Sequence, residues 1–168
     1  MRRFSIRNAT LADIAPLLRL EELSFRTDRI SRRSFRRLIR SPSAICRVAR
    51  AGNHIAGYAV VLSRTGSTVA RLYSLAVDAD FRGLGLAAAL VEDAERMATR
   101  RGMTRLRLEV REDNPAAIRL YERLAFRQCD NRPGYYADGA TAIRYQKRLD
   151  RRRSPGGARP LRYDHRQG

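Results

Sequence analysis

The stretch Asp80-Phe81-Arg82-Gly83-Leu84-Gly85-Leu86-Ala87-Ala88-Ala89-Leu90 (DFRGLGLAAAL) follows an apolar run and passes directly into a strong helix former. Two glycines one residue apart permit a turn that residues with side chains resist. The alanine- and leucine-rich run behind them starts a helix whose first amides have no partner within the helix. The spacing therefore predicts a strand, a tight turn and a helix N-terminus, where free N–H groups and the helix dipole favour a negatively charged group. It is not a doubly wound dinucleotide site, because three strands in succession precede the turn and no acidic ribose ligand follows at the usual distance. Nor is it a P-loop, since neither Gly-Lys-Ser nor Gly-Lys-Thr closes it.

Outward from the turn, the pattern alternates between strands and helices. Phe4 and Ile6 mark a first strand, and Thr10 with Asp13 resembles a helix N-terminus ahead of Leu11, Ile14, Leu17 and Leu18. A second helix starts at Ser31, carries Phe35, Leu38 and Ile39, and ends near Ser41-Pro42. Residues 45–50 and 55–62 flank the turn Ala51-Gly52-Asn53 as a hairpin, and residues 69–77 supply the next strand. Beyond the glycine turn, Ala87, Leu90, Val91, Ala94 and Ala98 share one helical face, and Gly102 ends the helix. Leu106, Leu108 and Val110 alternate with Arg105, Arg107 and Glu109 on a strand. Asn114-Pro115 opens another helix bearing Ala117, Ile118, Tyr121 and Leu124, and two strands, 126–130 and 142–149, close the chain's pattern. The order β-α-α-β-β-β-α-β-α-β-β predicts an α/β protein in which a mixed, mostly antiparallel sheet is flanked by helices.

A chain of 168 residues with 43% apolar composition is sufficient for one compact domain with a real core. No apolar run approaches a membrane span, and the N-terminus alternates instead of forming a secretory apolar region, so a cytoplasmic protein is expected. Cys46 and Cys129 are isolated and lack metal-ligand spacing, which predicts buried, reduced structural cysteines and no metal site. The formal net charge is +18, yet of 35 basic residues only Lys147 is lysine, a bias that a GC-rich coding sequence would produce. The arginines are spread along the sequence instead of forming one block. Residues 150–168, DRRRSPGGARPLRYDHRQG, hold six arginines and two aspartates, and their Pro, Gly and Arg content predicts a disordered tail after a domain of residues 1–149.

Leu75-Ala76-Val77 followed by Arg82-Gly83-Leu84-Gly85-Leu86-Ala87 resembles the acetyl-CoA signature of the GNAT acetyltransferase superfamily. Leu108-Glu109-Val110-Arg111, Asn114, Ala117-Ile118, Leu120-Tyr121-Glu122, Phe126 and Tyr135-Tyr136 resemble the branch that acetylates the N-terminal alanine of a ribosomal protein. The resemblance runs from Phe4 to Leu149. It implies acetyl-CoA as co-substrate, with Arg82 to Ala87 at the pyrophosphate, the amides of Leu75, Ala76 and Val77 along the pantetheine arm, and Asn114 beside the cofactor. It also implies a protein or peptide N-terminus as acceptor, ribosome proximity, and neither membrane nor nucleic-acid binding as the main activity. Glu109, partly desolvated by Leu106 and Leu108, is the candidate base, acting directly or through a water. Tyr121 is the candidate acid, since a phenol with a reference pKa of about 10 is protonated at neutral pH. Glu21, Phe25 and Asp28 on one side, and Tyr135 and Tyr136 on the other, would line the acceptor groove.

The same residues have plainer readings. Gly83 and Gly85 could end a strand, Glu109 could lie on a solvated strand face, and Tyr121 and Phe25 could be core. The sequence departs from the family pattern at Ala125, where a Gly-Phe pair is usual, and at Ala87. It also has Phe25-Arg26-Thr27-Asp28-Arg29-Ile30-Ser31 where the alanine-acetylating branch carries a Pro-Trp pair. A lysine or small-amine acetyltransferase shares the chemistry, and an RNA- or ribosome-binding module is the alternative from another class.

Overall fold

The structure is a computed structural model that describes residues 3–150. The arginine-rich segment from residue 151 onward lies outside the described residues. In chain order the elements are β1 (Phe4–Asn8), α1 (Ile14–Ser24), α2 (Arg32–Arg40), β2 (Ala44–Ala51), β3 (His54–Leu62), β4 (Val69–Val77), α3 (Leu86–Arg100), β5 (Arg105–Arg111), α4 (Pro115–Arg123), β6 (Arg127–Arg132) and β7 (Ala142–Arg148). The strands form one seven-stranded sheet in the order β1-β2-β3-β4-β5-β7-β6. Among the described residues only β4 and β5 pair in parallel, and the crossover that parallel pairing requires is α3. All other neighbours are antiparallel.

Local chemistry sets the helix boundaries. The Ser31 hydroxyl accepts from the Ser34 amide at 3.1 Å, and the Asn114 side chain accepts from the Ala117 amide at 3.2 Å with Pro115 in the first helical position. Asp13 accepts the Thr10 amide at 2.7 Å and a two-pronged contact from Arg7 at 2.7 and 2.9 Å. These contacts hold a short 3-10 turn, Leu11–Asp13, ahead of α1. They also hold the Asp13 carboxyl below its ordinary range, with Arg7 the leading cause.

Each sheet face has its own core. On one side α3 and α4 bring Leu86, Leu90, Val91, Ala94 and Tyr121 onto Leu72, Leu106, Leu108, Val110 and Tyr145. On the other side α1 and α2 bring Ile14, Leu17, Leu20 and Phe35 onto Val48, Tyr58 and Val60. This separation corrects two expectations. Leu106 and Leu108 face α3, so they do not desolvate Glu109, which alternation places on the opposite face. Cys46 is buried, and burial pushes its thiol pKa up to about 11, but Cys129 is exposed, as is every residue of the edge strand β6.

Candidate active site

The glycine turn begins at Asp78, whose carboxylate accepts the Asp80 amide at 2.9 Å. That amide, followed by the His54 ring, holds the Asp78 carboxyl below its ordinary range. Gly83 and Gly85 both have φ of 75°, in the left-handed region, and Gly85 is the residue immediately before α3. Ala89 donates to the Gly85 carbonyl at 3.1 Å and closes the first helical turn. Among the described residues, the amides of Gly83, Leu84, Leu86, Ala87 and Ala88 donate no backbone hydrogen bond. A Cβ built at Gly83 would meet nothing within 4 Å. Amides that donate no backbone hydrogen bond at a helix start fit a diphosphate group such as that of acetyl-CoA.

Next to this turn the sheet opens. β4 and β5 pair from Val69/Arg105 to Leu72/Leu108 and no further, although both strands continue. The separation coincides with a bulge: Val60 pairs with Ser74 and Val61 with Leu72, leaving Tyr73 as the extra residue of β4. Past this point Leu75, Ala76 and Val77 pair, among the described residues, only with Ala59, Tyr58 and Gly57 of β3, so their other edge borders a wedge between β4 and β5. Gly57 is required here by packing. A Cβ on it would lie 2.9 Å from the Ala76 carbonyl oxygen and 3.1 Å from Leu90 Cδ1, pushing α3 off the wedge floor.

Glu109 and Tyr121 approach the wedge from opposite faces of the sheet. The Glu109 side chain is only 4% exposed and accepts from Arg71 Nε at 2.9 Å on one oxygen and from Arg144 Nε at 3.1 Å on the other. It is therefore buried by two guanidiniums and is no solvated strand residue. Arg71 also donates to the Tyr135 hydroxyl. Tyr135 meets Tyr136 edge to face at 5.0 Å, and the Arg111 guanidinium lies 4.9 Å from the centre of the Tyr136 ring. Burial is the main reason the Tyr136 pKa is pushed up to about 12. Tyr121 packs against Phe126 at 5.8 Å, and burial, followed by the Tyr136 phenol, holds its pKa above the ordinary phenol value. Its hydroxyl makes no hydrogen bond among the described residues.

The α1–α2 and β6–β7 loops are joined where the Ala137 amide donates to Asp28 at 3.2 Å. Tyr135 is 40% exposed and suited to touch an acceptor, whereas Phe25 is half-buried against the α1–α2 core. Glu21 is 2% exposed, so it does not line the groove itself. One carboxylate oxygen receives the Ile30 amide at 2.7 Å, and the other receives the Tyr58 hydroxyl and lies 3.5 Å from Ser74 Oγ. Burial pushes its pKa up to about 7. Sequence reasoning missed Arg71, Arg144, Tyr58 and Ser74. Strand alternation could have put Arg71 and Arg144 on one face, but only the strand order sets them beside Glu109.

The sequence profile described as the Acetyltransferase (GNAT) family matches residues 11–126. The [Ribosomal protein bS18]-alanine N-acetyltransferase of Escherichia coli is 45% identical over 67 residues, which cover 40% of this chain and 45% of that enzyme. The match thus spans under half the length of that relative. Two solved structures extend the likeness across the fold. Ard1 from Thermoplasma volcanium superimposes with a TM-score of 0.80 at 27% identity, covering 88% of this chain and 98% of that one. The ribosomal-protein alanine N-acetyltransferase from Escherichia coli superimposes with a TM-score of 0.76 at 28% identity, covering 87% and 94%. With the glycine turn, the wedge and the profile match in agreement, this chain belongs to the GNAT acetyltransferase family.

Proposed function

We propose that the protein is an acetyl-CoA-dependent N-acetyltransferase whose acceptor is the N-terminal α-amine of a protein or peptide. The observation that carries this proposal is the wedge between β4 and β5, which opens beyond Leu72/Leu108 beside a turn in which the Gly83, Leu84, Leu86, Ala87 and Ala88 amides donate no backbone hydrogen bond among the described residues. The likeness to the Escherichia coli ribosomal-protein acetyltransferase favours an α-amine over a lysine or small amine. When bound, acetyl-CoA supplies an acetyl group activated as a thioester.

The residues divide the remaining work. The free edge of Leu75 to Val77 orients the acyl arm and places amides near the reacting carbonyl. Glu109 takes the proton that the α-ammonium must lose. Each of its oxygens accepts a guanidinium donor and keeps a further lone pair, so the proton reaches it directly or through a water. The Tyr121 hydroxyl holds the proton that the departing sulfur needs. Asn114 caps α4 through its side-chain oxygen, which leaves the amide nitrogen for the cofactor. Tyr135 and Tyr136 present the acceptor from the β6–β7 loop.

Incubation with acetyl-CoA and peptides with varied first residues, followed by fragmentation mass spectrometry, tests the assignment. Acetyl groups on α-amines, with alanine-first peptides among the good acceptors, are the expected result. Acetylation confined to lysine side chains or small amines would overturn it. Glu109→Gln is expected to lower the rate about 100-fold at neutral pH, with the loss shrinking towards about pH 9 as the α-amine deprotonates unaided. A loss that stays constant across that range would make Glu109 a positioning residue.

A further inference from the structure

The arginines that look scattered in the sequence converge on one face of the sheet. Alternation along β5 and the register with β7 and β6 put Arg105, Arg107, Arg111, Arg144, Arg148, Arg127 and Arg132 on the side opposite α3 and α4. α1 and α2 pack over β2, β3 and β4 on that side, so this part of β5, β7 and β6 lies beside their cover. The arginines near the acceptor groove are engaged. Arg144 pairs with Glu109, Arg111 with Asp113 and Asp138, and Arg132 with Asp130.

At the other end of the same face the pattern changes. Arg105 lies opposite Arg148, while Arg107 and Arg127 both lie opposite Gln146. Among the described residues none of these four arginines makes an ion pair or side-chain hydrogen bond, and the buried Nε of Arg107 has no partner there. Strand geometry places them within about 7 Å along the strands and about 10 Å across them, roughly one Debye length at physiological salt. Like charges directly opposite one another destabilise a sheet, so this arrangement loses stability unless an anion neutralises it.

We propose that Arg105, Arg107, Arg127 and Arg148 bind the phosphate backbone of folded, double-stranded RNA at a site separate from the wedge. Guanidinium forks match phosphate oxygens in pairs, and the four positions offer nothing else. No aromatic side chain occupies these four positions to stack an unpaired base, which favours a duplex over a single strand. Across β4, Val69 lies opposite Arg105, and Arg71, already held by Glu109 and 5.4 Å from the exposed Tyr73 ring, lies opposite Arg107, which is little apolar anchor for an acidic protein partner. The site occupies the N-terminal half of β5, whereas the wedge opens beyond Leu108, so RNA on this face leaves the wedge accessible.

The test is fluorescence anisotropy of the full chain with a labelled RNA duplex of about 16 base pairs, titrated from about 50 to 200 mM salt. The quadruple variant R105Q/R107Q/R127Q/R148Q is expected to weaken binding at least tenfold and to flatten the slope of log affinity against log salt by about 3 to 4. The control R32Q/R33Q/R36Q/R37Q removes the same charge from exposed positions of α2 and is expected to change the slope by less than about 1. Thermal unfolding checks that both variants fold. If the first does not, the exposed pair R127Q/R148Q should lower the slope by about 2. Equal losses in the two quadruple variants, or no loss in the first or in its exposed pair, would overturn the proposal. So would tighter binding of a polyglutamate peptide than of the duplex, since that would make the partner an acidic protein.

Discussion

The Glu21 carboxylate accepts the backbone amide of Ile30 at 2.7 Å and thereby ties the last turn of α1 to the residue that precedes the cap of α2. The carboxyl group pays for this position by losing water, and its pKa rises from 4.5 to about 7. Between those values the folded protein binds more protons than the unfolded chain, so stability falls as pH rises through the window and levels off above it. Glu21→Gln keeps an oxygen for Ile30 and removes the ionisation. The variant should lose that share of the pH dependence and gain up to about 3 kcal/mol over the parent near pH 8. Urea unfolding of both proteins from about pH 5 to 8 checks this, and parallel curves would refute it.

Gly85→Asp should abolish acetyl-CoA binding. The backbone there has φ of 75°, and a carboxylate in front of the α3 amides would oppose the phosphates. Calorimetric titration with acetyl-CoA decides the matter, and an unchanged Kd would reduce the turn to a connection.

Tyr121→Phe should lower kcat by about 100-fold or more while leaving the Kd for acetyl-CoA nearly unchanged. The ring that packs at 5.8 Å from Phe126 stays in place, and only the hydroxyl is lost. A parental kcat would make Tyr121 a core residue.

Ala125 stands where the family pattern has glycine, and its φ is 67°, a conformation in which a Cβ crowds the following carbonyl. Ala125→Gly should stabilise the protein by up to about 1 kcal/mol, the strain relieved exceeding the entropy that glycine adds to the unfolded chain. A raised urea midpoint with an unchanged m value is the expected sign.

The features legible in the sequence share one property, which is that their causes are local. Ser31 and Asn114-Pro115 cap the helices that follow them, and the φ of 80° at Gly102 ends α3, each within a few residues of the signal. The strand order left no such trace. Glu109 and its partner Arg71 are 38 positions apart, and Tyr58 reaches Glu21 across 37. Within residues 105–111 alone Glu109 is a lone carboxylate, and only the strand order makes it the centre of an ionic cluster. The same blindness dispersed the arginines of β5, β6 and β7, which become neighbours only when the register is known. Cys129 escaped for a related reason: it lies on β6, exposed along its whole length at the edge of the sheet, and edge position is set by the strand order.

The early end of the β4–β5 ladder also bears on how the protein behaves at high concentration. Backbone groups left unpaired along a strand ordinarily invite another chain to add itself, and for that reason exposed sheet edges seed aggregation. Here the unpaired stretch lies inside the sheet, with β3 on one flank and β5 and β7 beyond the other. A second protein's strand cannot slide in without forcing β5 off Leu72, while a slender flexible molecule can. The true outer edges are β1 and β6, and β6 carries Arg127, Asp130 and Arg132 together with a register shift, which discourages partners there. Among the described residues, the fold thus leaves a strand position unpaired inside the sheet instead of on its outer edge.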